Sequence, residues 1–448
     1  MKCRENAWSQ PSKHQQMRAE QAAWSGPARP PTLRDRWQAF GKSAALIRAA
    51  DGLAGLIAAS LPWSTTAPSI FIGLWLLVVT PTIDWRDYAR NFAQPAFALP
   101  FAFLLLALFG VLWSDGAWVD RLHAIKPVAK LVLIPALLYH FSRSERGLWV
   151  CAAFLLSCAL LAVLSWIVLL DPAWKITATA SAGVPVKNYI DQSQEFTLCA
   201  FVLALPALTF GRNGNTVATA ICLAVNLLFV TSMVFVASAR TALLCTAVLL
   251  ALFAWKHLSR RATLLLLAGT LAGSLVAWTT SSYLRQRITD VAVEYRHGRE
   301  DISRASTAQR LTYWRKALYA FAEAPLIGHG TGSIKRQFER AATGESRLDA
   351  EIVSNPHNQT LNVAVQWGLL GLILIYAMWI AHLRLFAGKE LAAWIGFVVV
   401  VQNFTNSLLN SHLFDFHEGW MYVLGVGVAG GMALKTKAKR RPAARLSD

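Results

Sequence analysis

Leu148 to Leu170 contains no charged side chain, and comparable apolar runs recur at Phe97 to Trp113, Val217 to Val236 and Leu361 to Ile380. A helix rises about 1.5 Å per residue, so each run is long enough, or nearly so, to cross a bilayer core of roughly 30 Å. Backbone groups in lipid must be satisfied within the segment, and these runs lack the two-residue alternation of barrel strands, so helices follow. A content of 55% hydrophobic residues with 18 Trp excludes an ordinary soluble domain. The pattern predicts an all-α polytopic membrane protein with about twelve spans, starting near residues 44, 67, 93, 124, 147, 194, 216, 241, 262, 359, 390 and 418.

Lys and Arg crowd the tail before Lys42, the short connections holding Arg86, Arg143, Arg212, Lys256 and Arg384, and the stretch Lys435 to Arg445. Short loops on the opposite side carry almost none, so the positive-inside rule predicts that both termini are cytoplasmic. The chain then divides into a leader (1–43), nine spans (44–278), a large outer loop (279–358), three spans (359–434) and a basic tail (435–448). The net charge of +18 is mostly topology, scattered over many loops, and does not describe a nucleic-acid-binding face. Five of six Cys lie in apolar runs with no CxxC or CxxH spacing, which supports neither a disulfide framework nor a zinc site. There is no glycine-rich phosphate loop and no GxSxG elbow, and acidic residues are too sparse for a divalent-metal cage, so no cofactor or metal is expected.

A polar insert of this size, Thr279 to Asn358, is where chemistry is expected. Leu284, Ile288, Val291 and Tyr295 recur at helical spacing beside Arg285, Arg296 and Arg299, which predicts an amphipathic helix on the membrane face. A second helix starts at a Ser306/Gln309 capping box, carries Arg310 in its first turn and the stripe Leu311, Trp314, Leu318 and Phe321, and stops at Pro325. Gly328-His329-Gly330-Thr331-Gly332 reads as a tight turn.

Arg240, in Ser238-Ala239-Arg240-Thr241, falls where one apolar run ends and the next begins. Arginine at that depth either snorkels to the interface or grips an anionic phosphate with its planar fork. Lys126 and Lys130 admit the same two readings, with Lys126 the nearer to the outer surface. His357 precedes Asn358 where the chain re-enters the membrane, and imidazole is the side chain best suited to take a proton near neutral pH. Tyr189, Gln192 and Gln194 in the other outer loop are within reach of the same cavity, and Trp314 with Tyr313 is expected to line a lipid-open groove.

Arg240 in Ser-Ala-Arg-Thr, Arg310-Leu-Thr-Tyr-Trp314, Pro325-Leu-Ile-Gly-His-Gly-Thr-Gly332 and His357-Asn358 before Gln366-Trp-Gly-Leu-Leu-Gly371 together resemble the bacterial O-antigen ligase and polymerase superfamily. The resemblance implies a GT-C-like membrane glycosyltransferase of the inner membrane. Its donor would be a polyprenyl-diphosphate-linked glycan, its acceptor lipid A-core, and its active site periplasmic, with no nucleotide sugar, ATP or metal. On that reading His357 is the base, Arg240 and Arg310 hold the diphosphate, and Lys126, Gln192, Trp314 and Asn358 bind substrate. A glycan polymerase or a protein O-oligosaccharyltransferase of the same superfamily, and a transporter with an outer cap, are the alternative expectations.

Overall fold

The structure, a computed structural model, describes residues 43–179, 181–297, 306–342 and 347–444. The expected leader, apart from Ser43, lies outside the described residues, as do Arg299, the end of the basic tail and the side chains of Val291, Tyr295 and Arg296. Among the described residues no strand occurs. The helices are α1 (Ala44–Ser60), α2 (Thr66–Val79), α3 (Trp85–Arg90), α4 (Pro95–Phe109), α5 (Trp118–Ala129), α6 (Leu133–Phe141), α7 (Gly147–Leu170), α8 (Tyr189–Arg212) and α9 (Thr216–Phe235). They continue as α10 (Arg240–His257), α11 (Arg260–Thr280), α12 (Ser282–His297), α13 (Ser306–Glu323), α14 (Ile334–Arg340), α15 (Arg347–Ala350), α16 (Gln359–Leu385), α17 (Leu391–Ser407) and α18 (Phe416–Ala444).

Side chains that imitate the missing turn set the helix starts: Asn188 accepts from the amides of Ile190 and Asp191, Asn215 from Ala218, Ser259 from Ala262 and Asn358 from Leu361. Among the described residues, seven helices are long and apolar enough to cross a membrane by themselves: Trp118–Phe141, which joins α5 and α6, and α7, α8, α9, α10, α11 and α16. α4 and α17 are shorter apolar helices, and the pair Thr66–Thr82 and Trp85–Ala93 is bent by 101°. The main core joins α1, α2, α4, α6, α8, α16, α17 and α18 around fully buried Trp75, Phe103, Trp367, Trp379, Trp394 and Tyr422. α11 instead exposes Leu264, Leu265, Leu271 and Leu275, a surface suited to lipid.

The two ends of the bundle differ. At one end Lys435 donates to the carbonyls of Arg143 and Ser144 and pairs with Glu145 at 2.7 Å, while Arg440 meets Glu390 at 2.6 Å. The basic connections therefore gather there. The insert packs at the opposite end, where Tyr283 meets Ser238 and His357 meets Asn410.

One break in a helix anchors the insert. Gly368, inside α16, adopts φ 58° and ψ −150°, which interrupts the i to i−4 ladder. The glycine-rich turn supplies the missing partners: His329 N–H donates to Val365 O at 2.9 Å and Gly330 N–H to Gln366 O at 2.8 Å. In return Leu369 N–H donates to Pro325 O at 2.8 Å and Leu370 N–H to Leu326 O at 3.1 Å. Irregular backbone beside a spanning helix is tolerated because protein groups satisfy it on both sides. Glycine is required for the approach itself, since a Cβ on Gly368 would lie 2.6 Å from the Leu326 carbonyl carbon and one on Gly328 2.5 Å from that of Gln366.

Candidate active site

His357 sits between the insert and α16 with φ 52°, a left-handed conformation that costs a non-glycine residue of order 1 kcal/mol. Its own N–H donates to Asn355 Oδ1 at 2.9 Å, and Asn358 caps α16 directly behind it. The half-buried ring packs beside Tyr313, with centroids 6.2 Å apart and planes at 29°, and its Nδ1 lies 2.9 Å from Asn410 Oδ1.

That contact assigns the tautomer. The Ser411 N–H donates to the same Asn410 atom at 3.0 Å, so the atom is an oxygen and acts as acceptor. His357 Nδ1 must then carry the hydrogen, which leaves Nε2 as the basic nitrogen of the neutral ring. The loop 408–415 holds Asn410 in place: Gln359 N–H donates to Asn410 O at 3.1 Å, Ser411 Oγ donates to Asn355 Oδ1 at 2.7 Å, and Asn358 Nδ2 donates to Leu408 O at 2.7 Å. Asn410 therefore contacts the imidazole, whereas both ends of the Asn358 amide serve the backbone.

Arg310 is half-buried in the first turn of α13, three residues before Tyr313 and so on the same side of that helix. The helix buries a face different from the expected stripe: Tyr313, Lys316, Ala317 and Ala320 face inward, while Leu311 and Leu318 are exposed together with Leu326 and Ile327. An apolar face turned outward is what a helix lying against lipid requires. Tyr313 consequently packs into the insert's own core with Ile334 and Phe338 and does not line a lipid-open groove, and the indole nitrogen of half-buried Trp314 is buried without a partner. Burial, with a hydrogen bond to Glu351, pushes the Tyr313 hydroxyl well above the usual phenol range. Burial likewise lowers Lys316, whose ammonium donates to the carbonyls of Asp349 at 2.6 Å and Glu351 at 3.0 Å, tying the approach to His357 onto α13.

Arg240 opens α10 after a short break from α9. Neighbours hold that break in place: Ala239 N–H donates to Ser193 Oγ at 3.1 Å, Ser238 N–H to Tyr283 Oη at 2.8 Å, and Gln194 Nε2 to Thr241 Oγ1 at 3.2 Å. The half-buried Arg240 donates from Nε to Arg287 O at 3.2 Å, and the Arg287 guanidinium lies 4.7 Å over the Tyr189 ring. Gln192 is buried, donating to Ser165 Oγ at 2.9 Å with its carbonyl oxygen unpartnered. Of the two lysines one turn apart, Lys126 is exposed, while Lys130 is buried and donates to Asp415 O at 2.5 Å. His329 donates from Nε2 to Ala320 O at 2.7 Å and acts as a strut of the turn.

The 408–415 loop also carries a cluster that the sequence reading missed. His412 Nδ1 lies 3.4 Å from both Asp415 Oδ2 and Glu418 Oε1. Nearby, Lys187 pairs with Glu195 at 2.8 Å, and His417 lies 3.2 Å from Lys187 and 3.5 Å from Asp191. An apolar recess of ≈ 550 Å³ opens beside these groups between α1, α7, α8, α17 and α18, lined by Ala58, Phe154, Leu198, Val399 and Met421 among others.

No curated protein matches the chain. Residues 223–376, which contain Arg240, Arg310, His357 and the Gly368 break, match the family model described as O-antigen ligase. That match covers about a third of the chain, the part of the helical bundle that carries the candidate residues, and makes this part similar to O-antigen ligases.

Proposed function

We propose that the protein is an O-antigen ligase of the bacterial inner membrane. In this reading it transfers a glycan from polyprenyl diphosphate to the lipid A-core oligosaccharide at the periplasmic face, without ATP or a metal in the chemistry. The observation that carries the reading is the basic Nε2 of His357, fixed by Asn410 and set beside the helix that bears Arg310. His357 Nε2 takes the proton of an acceptor hydroxyl as that oxygen forms a bond to the donor's anomeric carbon. The bond from that carbon to the phosphate oxygen breaks in the same displacement, with inversion, and polyprenyl diphosphate departs as the anion. Arg240 and Arg310 offset the charge that develops on it, because a guanidinium meets phosphate with two parallel donors. The diphosphate leaving group supplies the driving force, so orientation and charge stabilisation are what remain for the protein to provide.

Buried Lys130 is the better placed of the two lysines for an internal role, while exposed Lys126 and half-buried Trp314 suit contacts with the membrane or the glycan. The test is a reconstitution of purified protein with polyprenyl-diphosphate-linked glycan and lipid A-core, comparing wild type with His357→Ala. Glycan on lipid A-core from the wild type alone supports the ligase. Lengthened lipid-linked glycan makes the protein a polymerase, and the absence of any product from folded wild-type protein refutes glycan transfer.

A further inference from the structure

His412 is 1% exposed and Glu418 6% exposed, yet both imidazole nitrogens and Glu418 Oε1 lack a hydrogen-bond partner. Buried polar groups left unpaired cost about 1–3 kcal/mol each, so this spacing calls for an occupant. The three ligand atoms, His412 Nδ1, Asp415 Oδ2 and Glu418 Oε1, all lie within 4.8 Å of one another, and Nδ1 stands 3.4 Å from each carboxylate oxygen. We propose that His412, Asp415 and Glu418 bind a zinc-class divalent cation that fastens the 408–415 loop to α18.

The donor set, one imidazole and two carboxylates, and the two 3.4 Å separations suit zinc. Zinc bound by nitrogen and oxygen at about 2.0–2.1 Å in a tetrahedron separates neighbouring ligands by roughly 3.3–3.4 Å. Magnesium in an octahedron at about 2.1 Å would bring neighbours to about 3.0 Å, and calcium takes oxygen ligands in preference to imidazole. The local backbone already holds the three residues in a compact turn, since Phe414 and Asp415 N–H groups donate to Ser411 O at 2.8 and 3.0 Å and Gly419 N–H donates to Asp415 O at 3.2 Å. His412 and Glu418 also line a small cavity of mixed character with Gln194, Gln402, Asn403 and Asn406, where a water can complete the coordination.

Asp415 and Glu418 supply the negative charge that a divalent cation needs, while neighbouring Glu195 pairs with Lys187 at 2.8 Å. Asp415 accepts the Lys130 ammonium on its backbone carbonyl, which leaves its carboxylate for the cation. The bound ion is structural: it steadies the loop that presents Asn410 to His357 and takes no part in the transfer.

The experiment is metal analysis of the full-length protein, purified in detergent without chelator, by inductively coupled plasma mass spectrometry. About one zinc per chain is expected in the wild type and under about 0.2 in His412→Ala and Glu418→Gln. Asp415→Asn, at a partly exposed position, serves if the buried variants do not fold. After prolonged dialysis against EDTA, zinc chloride should raise the melting temperature of the wild type and leave the variants unmoved. A folded wild type that holds under about 0.1 zinc per chain and does not respond to zinc chloride overturns the site. In that case His412 is an imidazolium held between two carboxylates, whose charge outweighs burial and pushes its pKa up to about 10. Metal content is read without any transfer assay, so failure of this site and failure of the ligase reading are separate results.

Discussion

Asn410→Ala removes the oxygen that holds His357 Nδ1–H at 2.9 Å and leaves the ring's other neighbour, Tyr313, in place. As His357 takes a proton its ring becomes positive, and a hydrogen bond to a charged group is worth about 1.5–3 kcal/mol. The ground state also loses its share of the bond, about 1 kcal/mol, so the barrier rises by the difference of about 0.5–2 kcal/mol and transfer slows by roughly 2- to 30-fold, with most of the loss in kcat. In the ground state the same bond is between neutral groups and contributes about 1 kcal/mol, so the variant should fold and melt within a few degrees of the wild type. Asn410→Asp adds a diagnostic second arm. A carboxylate against Nδ1 favours the protonated ring, and a base works only when unprotonated, so the acidic limb of the rate profile should move to higher pH. The assay is initial transfer rate in reconstituted vesicles across pH, alongside thermal unfolding. An Asn410→Ala enzyme with wild-type kcat, or an Asn410→Asp enzyme with an unmoved profile, would refute the positioning argument.

His329→Ala should retain most of the transfer rate, because the side chain braces a turn through one bond to Ala320 O; a collapse comparable to that of His357→Ala would make it part of the chemistry. Gly368→Ala combines a positive φ with a Cβ 2.6 Å from backbone, and should destabilise the fold by about 3 kcal/mol or more, read as a large fall in melting temperature or a failure to purify. Arg240→Lys and Arg310→Lys keep the charge and lose the fork, so each should lower transfer about tenfold or more; near-normal rates in both variants would remove these residues from the diphosphate.

The helix starts were legible because the signals are local: an apolar run, a cap and a basic flank lie within one segment, and a helix occurs within a few residues of each expected span start. The glycine-rich turn was also legible as a turn, but its socket was not. Its partners Val365 and Gln366 lie on a helix whose break at Gly368 carries no mark beyond one glycine. Lys126 and Lys130 differ by one helical turn, and only packing decides which is buried. The stripe Leu311, Trp314 and Leu318 was read correctly as helical, yet which face of such a helix turns inward depends on whether lipid or protein lies beside it. Asn410 stayed invisible for a different reason. It meets His357 across 53 residues of chain, and an asparagine in a polar loop is ordinarily a turn residue.

The accounting of hydrogen bonds at the α16 break also limits how the site can open. Four backbone pairs join residues 325–330 to residues 365–370, and the Gln366 carboxamide accepts from Gly332 N–H at 2.7 Å. Pulling the turn away would orphan donors and acceptors on both sides at about 1–3 kcal/mol each, a total comparable to the whole stability of a domain. Residues 325–332 and α16 therefore move as one body, with His357 tied to that body through the Asn358 cap and through Asn410. Hydrogen exchange tests this directly: amides of 328–332 should be protected as strongly as those of α16.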